Sequence, residues 1–242
     1  MTASTTSSYP KNQMARGIAV SKAGHVAISN LFGKIIIRSK SDINKKITSM
    51  KDPEEWCECL NYSPDGKFLA VGSHDNGVYI YSVDGDNYKL VKRFMKHSSY
   101  VTAIDWSADS GYVRSCCGAY SKLYWNIQTL SHDPDGLKNT RDTVWDTLTM
   151  KIGYEVDGIY PSGEDGTHIN TVDRSTDGKY LLTGDDFGLL NIYRYPVFNL
   201  KHEAKSYGGH SEHVPTVQMT LDNSKVFSIG GGDNTIIQWR KK

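Results

Sequence analysis

The five residues Ser63-Pro-Asp-Gly-Lys67 form a turn that recurs, with variations, along the whole sequence. The other copies are Ser21-Lys-Ala-Gly-His25, Ser107-Ala-Asp-Ser-Gly111, Ser175-Thr-Asp-Gly-Lys179 and Leu221-Asp-Asn-Ser-Lys225. Their first residues are numbers 21, 63, 107, 175 and 221, so that successive spacings are 42, 44, 68 and 46 residues. Three spacings match the period of about 40–45 residues of a four-stranded propeller blade. The fourth exceeds that period by an insertion of roughly 24 residues.

Each copy has the composition of a tight turn between antiparallel strands, because Asp and Ser bond nearby amides, Pro presets φ and Gly accepts positive φ. The runs that flank the turns predict three strands per repeat. First strands are predicted at Ile18–Val20, Cys57–Tyr62, Val101–Trp106, Ile169–Asp173 and Val214–Met219. Second strands are predicted at His25–Ser29, Phe68–Gly72, Tyr112–Cys116, Tyr180–Thr183 and Lys225–Ile229. Third strands are predicted at Lys34–Arg38, Val78–Tyr81, Lys122–Trp125, Leu189–Tyr193 and Thr235–Trp239. Fourth strands are more polar, as in Leu90–Phe94, which is typical of a solvated outer edge.

We therefore predict an all-β propeller of about five four-stranded blades, at residues 14–50, 51–95, 96–150, 165–204 and 205–242. A β-sandwich is the alternative, but sandwiches do not repeat one turn at this period. The polar segment 1–13 is expected to be a disordered tail or a sequence added for expression. The insertion Gln128–Gly166 is expected to form no domain of its own, with Trp145 buried and Val144–Ile152 supplying an outer strand.

The composition limits the kinds of partner. The 28 Lys and Arg nearly balance the 27 Asp and Glu, which argues against a chain built to coat nucleic acid or membrane. No signal peptide or membrane-spanning apolar run is visible. Cys57, Cys59, Cys116 and Cys117 have no zinc-ligand spacing, so they are interpreted as reduced packing residues of a cytosolic protein.

The third strands end in the apolar–aromatic pattern of WD40 repeats, as in Ile236-Ile-Gln-Trp239. The resemblance implies a buried hydrogen-bonded brace within a blade, made from a His, a turn Asp and a Trp. His210, Asp233 and Trp239 match those three positions. Partial braces are expected in two other repeats, where Asp75 is paired with Tyr81 and His97 with Trp125.

Longer motifs are similar to those of the echinoderm microtubule-associated protein-like family. They are Phe68-Leu-Ala-Val-Gly-Ser-His-Asp-Asn76, His97-Ser-Ser-Tyr-Val101, Gly184-Asp-Asp-Phe187, Tyr195-Pro196, His210-Ser-Glu-His213, Ile229-Gly-Gly-Gly-Asp233, Trp145-Asp-Thr147 and Gly158-Ile-Tyr-Pro161. The resemblance implies a WD40-type propeller that corresponds to the last five blades of the family's second propeller. It also implies that about two further blades belong to a larger propeller, so that the faces of the first and last repeats are uncovered.

The same resemblance implies a non-catalytic cytoplasmic scaffold of the cytoskeleton, bound to tubulin or microtubules. The alternative is a WD40 adaptor that recognises a peptide or protein in a ubiquitin-ligase or signalling assembly. No nucleic acid, membrane, cofactor, metal or small-molecule substrate is expected. Asp186-Phe187-Gly188 matches the kinase metal-binding tripeptide, but no phosphate loop, catalytic loop or strand lysine accompanies it. No catalytic serine, cysteine or carboxylate arrangement can be assembled.

Two surfaces are predicted to contact partners. The first is the end of the blades whose loops carry His74, Asn76, Tyr100, Tyr120, Asp185 and Asp186, with the two tyrosines as anchors. The second is a basic patch for an acidic partner, such as the acidic tails of tubulin. Its members are Lys34, Arg38, Lys40, Lys45, Lys46 and Lys51, against Asp42 as the one acidic residue of that segment.

Overall fold

The computed structural model describes residues 14–160, 168–198 and 203–240. This part of the chain divides into two compact units, one ending at Asp146 and the other beginning at Thr147. Each unit consists of separate antiparallel sheets in which consecutive strands are neighbours. The tail predicted at 1–13 lies outside the described residues.

The first unit contains three four-stranded sheets. Its strands are β1 Ala15–Val20, β2 His25–Asn30, β3 Ile35–Ser39, β4 Lys46–Met50, β5 Cys57–Tyr62, β6 Phe68–Ser73, β7 Val78–Asp84, β8 Asn87–Phe94, β9 Val101–Trp106, β10 Tyr112–Cys117, β11 Lys122–Asn126 and β12 Ser131–His132. A short helix, α1, follows at Gly136–Asn139.

The second unit contains one four-stranded sheet and one sheet with three described strands. Its elements are a 3-10 helix Tyr154–Ile159 and the strands β13 Ile169–Arg174, β14 Tyr180–Asp185, β15 Leu189–Arg194, β16 Lys205–Gly208, β17 Thr216–Met219, β18 Lys225–Ile229 and β19 Ile236–Arg240. All fifteen predicted first, second and third strands are confirmed, each within three residues of its observed bounds. None of the helices in the described ranges has the length and apolarity needed to cross a membrane.

The recurrent turn has one hydrogen-bond pattern. In Ser63–Lys67 the Gly66 amide donates to the Ser63 carbonyl over 2.9 Å, and the Ser63 hydroxyl lies 2.6 Å from Asp65. The Asp65 carboxylate also accepts from the Lys67 amide at 3.0 Å, and these bonds lower the Asp65 pKa although burial opposes them. The turn therefore forms from its own residues, which is why a local sequence pattern predicts it.

The sheets of the first unit pack face to face. Alternate residues of β6 point to opposite sides, so that Leu69 and Val71 pack towards the first sheet and Ala70 towards the third. Trp106 and Trp125 fill the space on the third-sheet side and have no exposed surface. The middle sheet of this unit is thus buried on both faces.

Two sheets expose apolar side chains. On β1, Ile18 is 67% exposed and Val20 is 52% exposed. In the last sheet, Ile229 and Ile236 are also exposed. These sheets are the first and last repeats, whose outer faces are predicted from the sequence to be uncovered. That further blades cover these faces in a larger propeller stays a prediction.

The part of the insertion that belongs to the first unit packs against the third sheet. Trp145 is buried as predicted, at 9% exposure, and pairs with Ser107 in an isolated β-bridge. The Arg114 guanidinium lies 4.3 Å from the Trp145 ring centre and 3.2 Å from the Asp105 carboxylate. The predicted outer strand at Val144–Ile152 is wrong, because β12 occupies the outer position of the third sheet.

The four cysteines are free thiols that are buried or half-buried. Burial raises the pKa of Cys57 to about 12, so that this thiol is protonated at neutral pH. This agrees with their interpretation as reduced packing residues.

Candidate functional site

One backbone hydrogen bond recurs at the same end of each sheet. This is the end where the first strand begins and the second strand ends, and we call it the top end. A residue shortly before the first strand accepts, through its carbonyl, a hydrogen bond from a backbone amide in the loop after the second strand. Trp56 accepts from His74 at 2.8 Å and Tyr100 accepts from Gly118 at 2.9 Å. The other pairs are Met14 with Leu31, His168 with Asp186 and His213 with Gly231. The bond fixes the backbone from which each of these side chains projects.

In the first unit, four of the side chains at the top end stack on one another. The Arg16 guanidinium carbon lies 4.1 Å from the centre of the Trp56 ring. The Trp56 and His74 rings are 4.2 Å apart at an interplanar angle of 59°, and His74 lies nearly parallel to Tyr100 at 4.6 Å and 16°. We call Arg16, Trp56, His74 and Tyr100 the aromatic column. It joins residues of all three sheets of the unit.

The column is partly exposed and closely supported. Tyr100 is 43% exposed, Arg16 is exposed, and Trp56 and His74 are half-buried. A Cβ atom built on Gly118 would lie 2.6 Å from the Tyr100 ring, so that only glycine leaves room for the ring there. Glu58 places a carboxylate oxygen 3.2 Å from His74 Nε2.

Four of the predicted partner-binding residues lie at this end of the first unit. His74 and Tyr100 belong to the column, and Asn76 is half-buried in the adjoining turn with φ of 66°. Tyr120, with φ of 58° and 60% exposure, follows Gly118 in the loop beneath Tyr100. Sequence reasoning missed Arg16 and Trp56, although Trp56 precedes its first strand as Tyr100 does.

The other two predicted residues lie in the second unit and differ in exposure. Asp185 is 4% exposed, and its carboxylate accepts hydrogen bonds from the Phe187 and Leu189 amides, both at 2.9 Å. The Asn191 amide donates a third bond at 3.0 Å. Asp185 is therefore a turn-organising residue, and we remove it from the predicted surface. Asp186 is exposed and accepts a bond from Asn170 at 2.8 Å.

The residues predicted as a brace in the last sheet are joined through a serine. Trp239 Nε1 donates to Ser228 Oγ at 2.8 Å, and Ser228 Oγ lies 2.7 Å from His210 Nε2. His210 Nδ1 lies 3.1 Å from the Asp233 carboxylate. Because Trp is only a donor, its bond occupies a lone pair of the Ser228 hydroxyl, and the hydroxyl proton stays available for His210 Nε2. The bond from the Thr235 amide, with further bonds from the Ser211 amide, the Thr235 hydroxyl and His210, lowers the pKa of Asp233 to about 2, although burial opposes them.

The third sheet contains the same series of hydrogen bonds, from Trp through Ser to His, but without the carboxylate. Trp125 Nε1 donates to Ser115 Oγ at 2.7 Å, and Ser115 Oγ lies 2.7 Å from His97 Nε2. Burial, followed by the nearby His132, lowers the pKa of His97 to about 4. His97 is therefore neutral at pH 7, which matches its role as the acceptor of the Ser115 hydroxyl.

The second sheet departs from the predicted brace. Asp75 accepts from the Tyr79 hydroxyl at 2.7 Å, whereas the Tyr81 hydroxyl donates to Asp52 at 3.0 Å. The predicted pair of Asp75 with Tyr81 is therefore wrong. Val71 occupies the position that Ser115 and Ser228 hold in the other sheets, so no hydroxyl links the aromatic residue to the turn.

The six residues of the predicted basic patch do not lie together. Lys34 and Lys51 are at the top end, and Lys51 donates to the carbonyls of Phe32 and Pro53. The other four are at the opposite end of β3 and β4, about 13 Å away for a strand of this length. They are Arg38, Lys40, Lys45 and Lys46. Arg38 donates to the carbonyls of Ile43 and Asn44, at 2.9 and 3.1 Å.

No group of three or more metal-ligating side chains is brought together within residues 14–160, 168–198 and 203–240. The arrangement at the top end offers ring edges, a guanidinium and a carboxylate on a fixed backbone. Such a surface can bind a protein segment by packing and hydrogen bonding.

Comparison with protein families decides where this chain belongs. The family described as echinoderm microtubule-associated protein second beta-propeller matches residues 2–241. The chain belongs to this family. Membership in the echinoderm microtubule-associated protein family confirms both the predicted resemblance and the predicted β-propeller fold class.

Relatives within the family are similar over most of this chain. A ciliary WD repeat-containing protein of Euplotoides octocarinatus is 42% identical over 99% of this chain and 34% of its own length. The 77 kDa echinoderm microtubule-associated protein of Strongylocentrotus purpuratus is 47% identical over 80% of this chain and 28% of its own length. Human echinoderm microtubule-associated protein-like 1 is 40% identical over 89% of this chain and 26% of its own length. The chain thus spans about a third or less of the length of these relatives.

A solved structure also shares the fold. A chain in the crystal structure of the mitotic checkpoint complex aligns with 93% of this chain and 60% of its own length, with a TM-score of 0.54. At 17% sequence identity, this likeness concerns the fold alone.

Proposed function

We propose that this chain is part of a non-catalytic, microtubule-associated scaffold of the cytoskeleton, and that the aromatic column and Tyr120 contact the partner. The observation that carries the proposal is the aromatic column. The chain that bears it belongs to a family whose named relatives are microtubule-associated proteins. Membership in the family suggests microtubules as the partner, and the column is a surface suited to binding a protein.

The column has the properties of an interaction hot spot. Binding energy at protein interfaces concentrates in Trp, Tyr and Arg side chains that are held in place before the partner arrives. Here each ring is packed against its neighbour, and Trp56, His74 and Tyr100 are also held by the backbone bonds that fix their loops. Little side-chain entropy is therefore lost when a partner covers the exposed edges.

The hydrogen-bonded histidines support a non-catalytic role. His97 and His210 each lie beside a serine, a pairing that in hydrolases activates a nucleophile. Here Ser115 and Ser228 have no exposed surface, and each already accepts a hydrogen bond from a tryptophan. A substrate cannot reach either hydroxyl, so these groups act in stability.

Cosedimentation with taxol-stabilised microtubules tests the proposal. We expect the chain to pellet with microtubules in a saturable manner and to remain in the supernatant without them. Absence of pelleting, together with recovery of a bound peptide or adaptor partner, would favour the WD40 adaptor function instead. The measurement uses the whole chain of 242 residues.

A further inference from the structure

A second surface of the first unit lies at the end opposite the top end. There the turn Ser21–His25 and the loop Ser39–Lys45 enclose an open cleft of about 540 Å³. Polar groups converge on it from Lys40, Lys45, His25 and the hydroxyls of Ser39 and Ser41. Clefts in which a few polar side chains converge are typical of binding sites.

The loop that carries the two lysines is held in shape by hydrogen bonds. Arg38 donates to the carbonyls of Ile43 and Asn44, and the Ser39 amide donates to the Lys45 carbonyl at 3.0 Å. The Lys40 amide donates to the Gly24 carbonyl at 2.7 Å, which ties the loop to the opposite wall of the cleft. The positions of Lys40 and Lys45 are therefore set before any ligand binds.

The charge of the cleft favours an anion. Its lining contains the two cations Lys40 and Lys45 against Asp86 as its acidic residue. Asp42, in the same loop, accepts the Asn44 amide at 3.0 Å and does not line the cleft. A lysine carries a compact charge on a flexible side chain, whereas planar, bidentate recognition of a single group is typical of arginine. Two lysines therefore suit a mobile, carboxylate-rich chain.

Asp86 shows how this site accommodates a carboxylate. One of its oxygens lies 3.3 Å from His25 Nε2, while the side chain remains 77% exposed at the turn between β7 and β8. On its other side, His25 Nδ1 lies 2.9 Å from the Tyr88 hydroxyl, which is 2.8 Å from the Tyr62 hydroxyl. The imidazole is thus oriented by the half-buried Tyr88 and the buried Tyr62, and it presents Nε2 to a carboxylate.

We propose that this cleft binds a Glu- or Asp-rich segment of a protein partner, with Lys40, Lys45 and His25 as the groups that contact its carboxylates. In the bound state, a carboxylate of the segment replaces Asp86 at His25. The inference goes beyond the microtubule proposal, because it concerns the chemistry of the segment and not the protein that carries it. A binding measurement with an acidic peptide contains no microtubules, so its failure leaves the microtubule proposal standing.

The test measures the fluorescence anisotropy of a labelled poly-glutamate peptide titrated with the whole chain. We expect saturable binding at low ionic strength that weakens at about 0.15 M salt, because screening acts on exposed charges. Lys40→Glu combined with Lys45→Glu is expected to reduce the affinity by about tenfold or more. Asp86→Asn is expected to raise the affinity by about threefold, since it removes a competing carboxylate.

Lys46→Glu is the matched control for Lys45→Glu. The two substitutions change the charge equally at neighbouring positions, but Lys46 does not line the cleft. We expect Lys46→Glu to change the affinity by less than about threefold. Thermal unfolding of each variant, followed by circular dichroism, checks the fold, and Lys40→Gln with Lys45→Gln replaces the charge reversals if they unfold.

Three results would overturn the proposal. They are absence of binding by the unmodified chain, an equal loss with Lys45→Glu and Lys46→Glu, and binding of a phosphoserine peptide without binding of poly-glutamate. The second would indicate attraction by the general surface charge, and the third a phosphate site.

Discussion

The imidazole of His74 lies almost parallel to the Tyr100 ring, with 4.6 Å between their centroids, although the two residues belong to different sheets of the first unit. The contact extends from Tyr100 through His74 to Trp56 and Arg16. It brings four side chains from the three sheets of the unit together into one surface.

Trp56→Ala and Tyr100→Ala are each expected to weaken microtubule cosedimentation by about 5- to 30-fold, the effect of losing an aromatic anchor. Each also removes a neighbour of His74, so the double variant should lose less than the sum of the two effects. Tyr154→Ala is the control, because Tyr154 is a tyrosine 76% exposed in the second unit. Unchanged binding by both column variants would remove the column from the proposed interface.

Ser228→Ala is expected to destabilise the folded chain by about 1–3 kcal/mol. The substitution leaves Trp239 Nε1 without its acceptor and His210 Nε2 without its donor, inside the last sheet. Urea denaturation followed by tryptophan fluorescence measures the loss. Ser211→Ala, at an exposed position, should change stability by less than about 0.5 kcal/mol. Equal effects at the two serines would show that the bonds of Ser228 contribute nothing.

Gly33→Ala is expected to cost more than Gly66→Ala, although both glycines have positive φ, of 70° and 74°. A left-handed backbone costs a residue with a Cβ about 1–2 kcal/mol at either position. At Gly33 the new Cβ would also meet the Pro53 carbonyl and lie 2.5 Å from the Glu55 carbonyl, whereas nothing lies within 4 Å at Gly66. Urea midpoints of the two variants give the comparison, and equal midpoints would contradict it.

Stability is expected to fall as the pH decreases from about 6.5 to about 4, because His97 titrates over that range. Its pKa is 6.5 when unperturbed and about 4 in the folded chain, so the unfolded chain binds the proton first. The contribution of His97 to the free energy of unfolding is fully present above pH 6.5. It is lost as the pH falls towards 4, and the loss is at most about 3 kcal/mol.

His97→Gln should flatten this pH dependence, as measured by urea unfolding at a series of pH values. The carboxylate of Asp233 does not obscure the test. Its pKa is lowered from 3.8 to about 2, so its contribution is present above pH 3.8 and is lost only below that value. An identical slope in the variant between pH 6.5 and 4 would exclude His97 as the responsible group.

The sequence predicts the strands well because the turns that separate them form locally. Ser63, Asp65 and Gly66 make their bonds within five residues, and the same pattern marks the other repeats. The central serine of the brace could also have been found. Ser115 and Ser228 are each the third residue after the residue that opens the second strand.

Other features depend on contacts that no local pattern contains. A turn aspartate such as Asp185 can be buried when a neighbouring strand supplies a hydrogen-bond donor to its carboxylate. Here Asn191 of β15 is that donor. The basic residues of segment 34–51 are close in sequence, but β3 and β4 carry them to opposite ends of the sheet. The stacking of Trp56, His74 and Tyr100 requires adjacent sheets to pack at a particular distance, which is a property of the core beneath them.

The recurrent bond between the residue before each first strand and the following loop uses only backbone atoms. This bond therefore places no demand on the identity of those five side chains, which are Met14, Trp56, Tyr100, His168 and His213. Exchanging one for another alters what the molecule recognises while the path of the chain stays the same. Related chains can in this way acquire new specificities by single substitutions, and a designer can screen these five sites as a small combinatorial library.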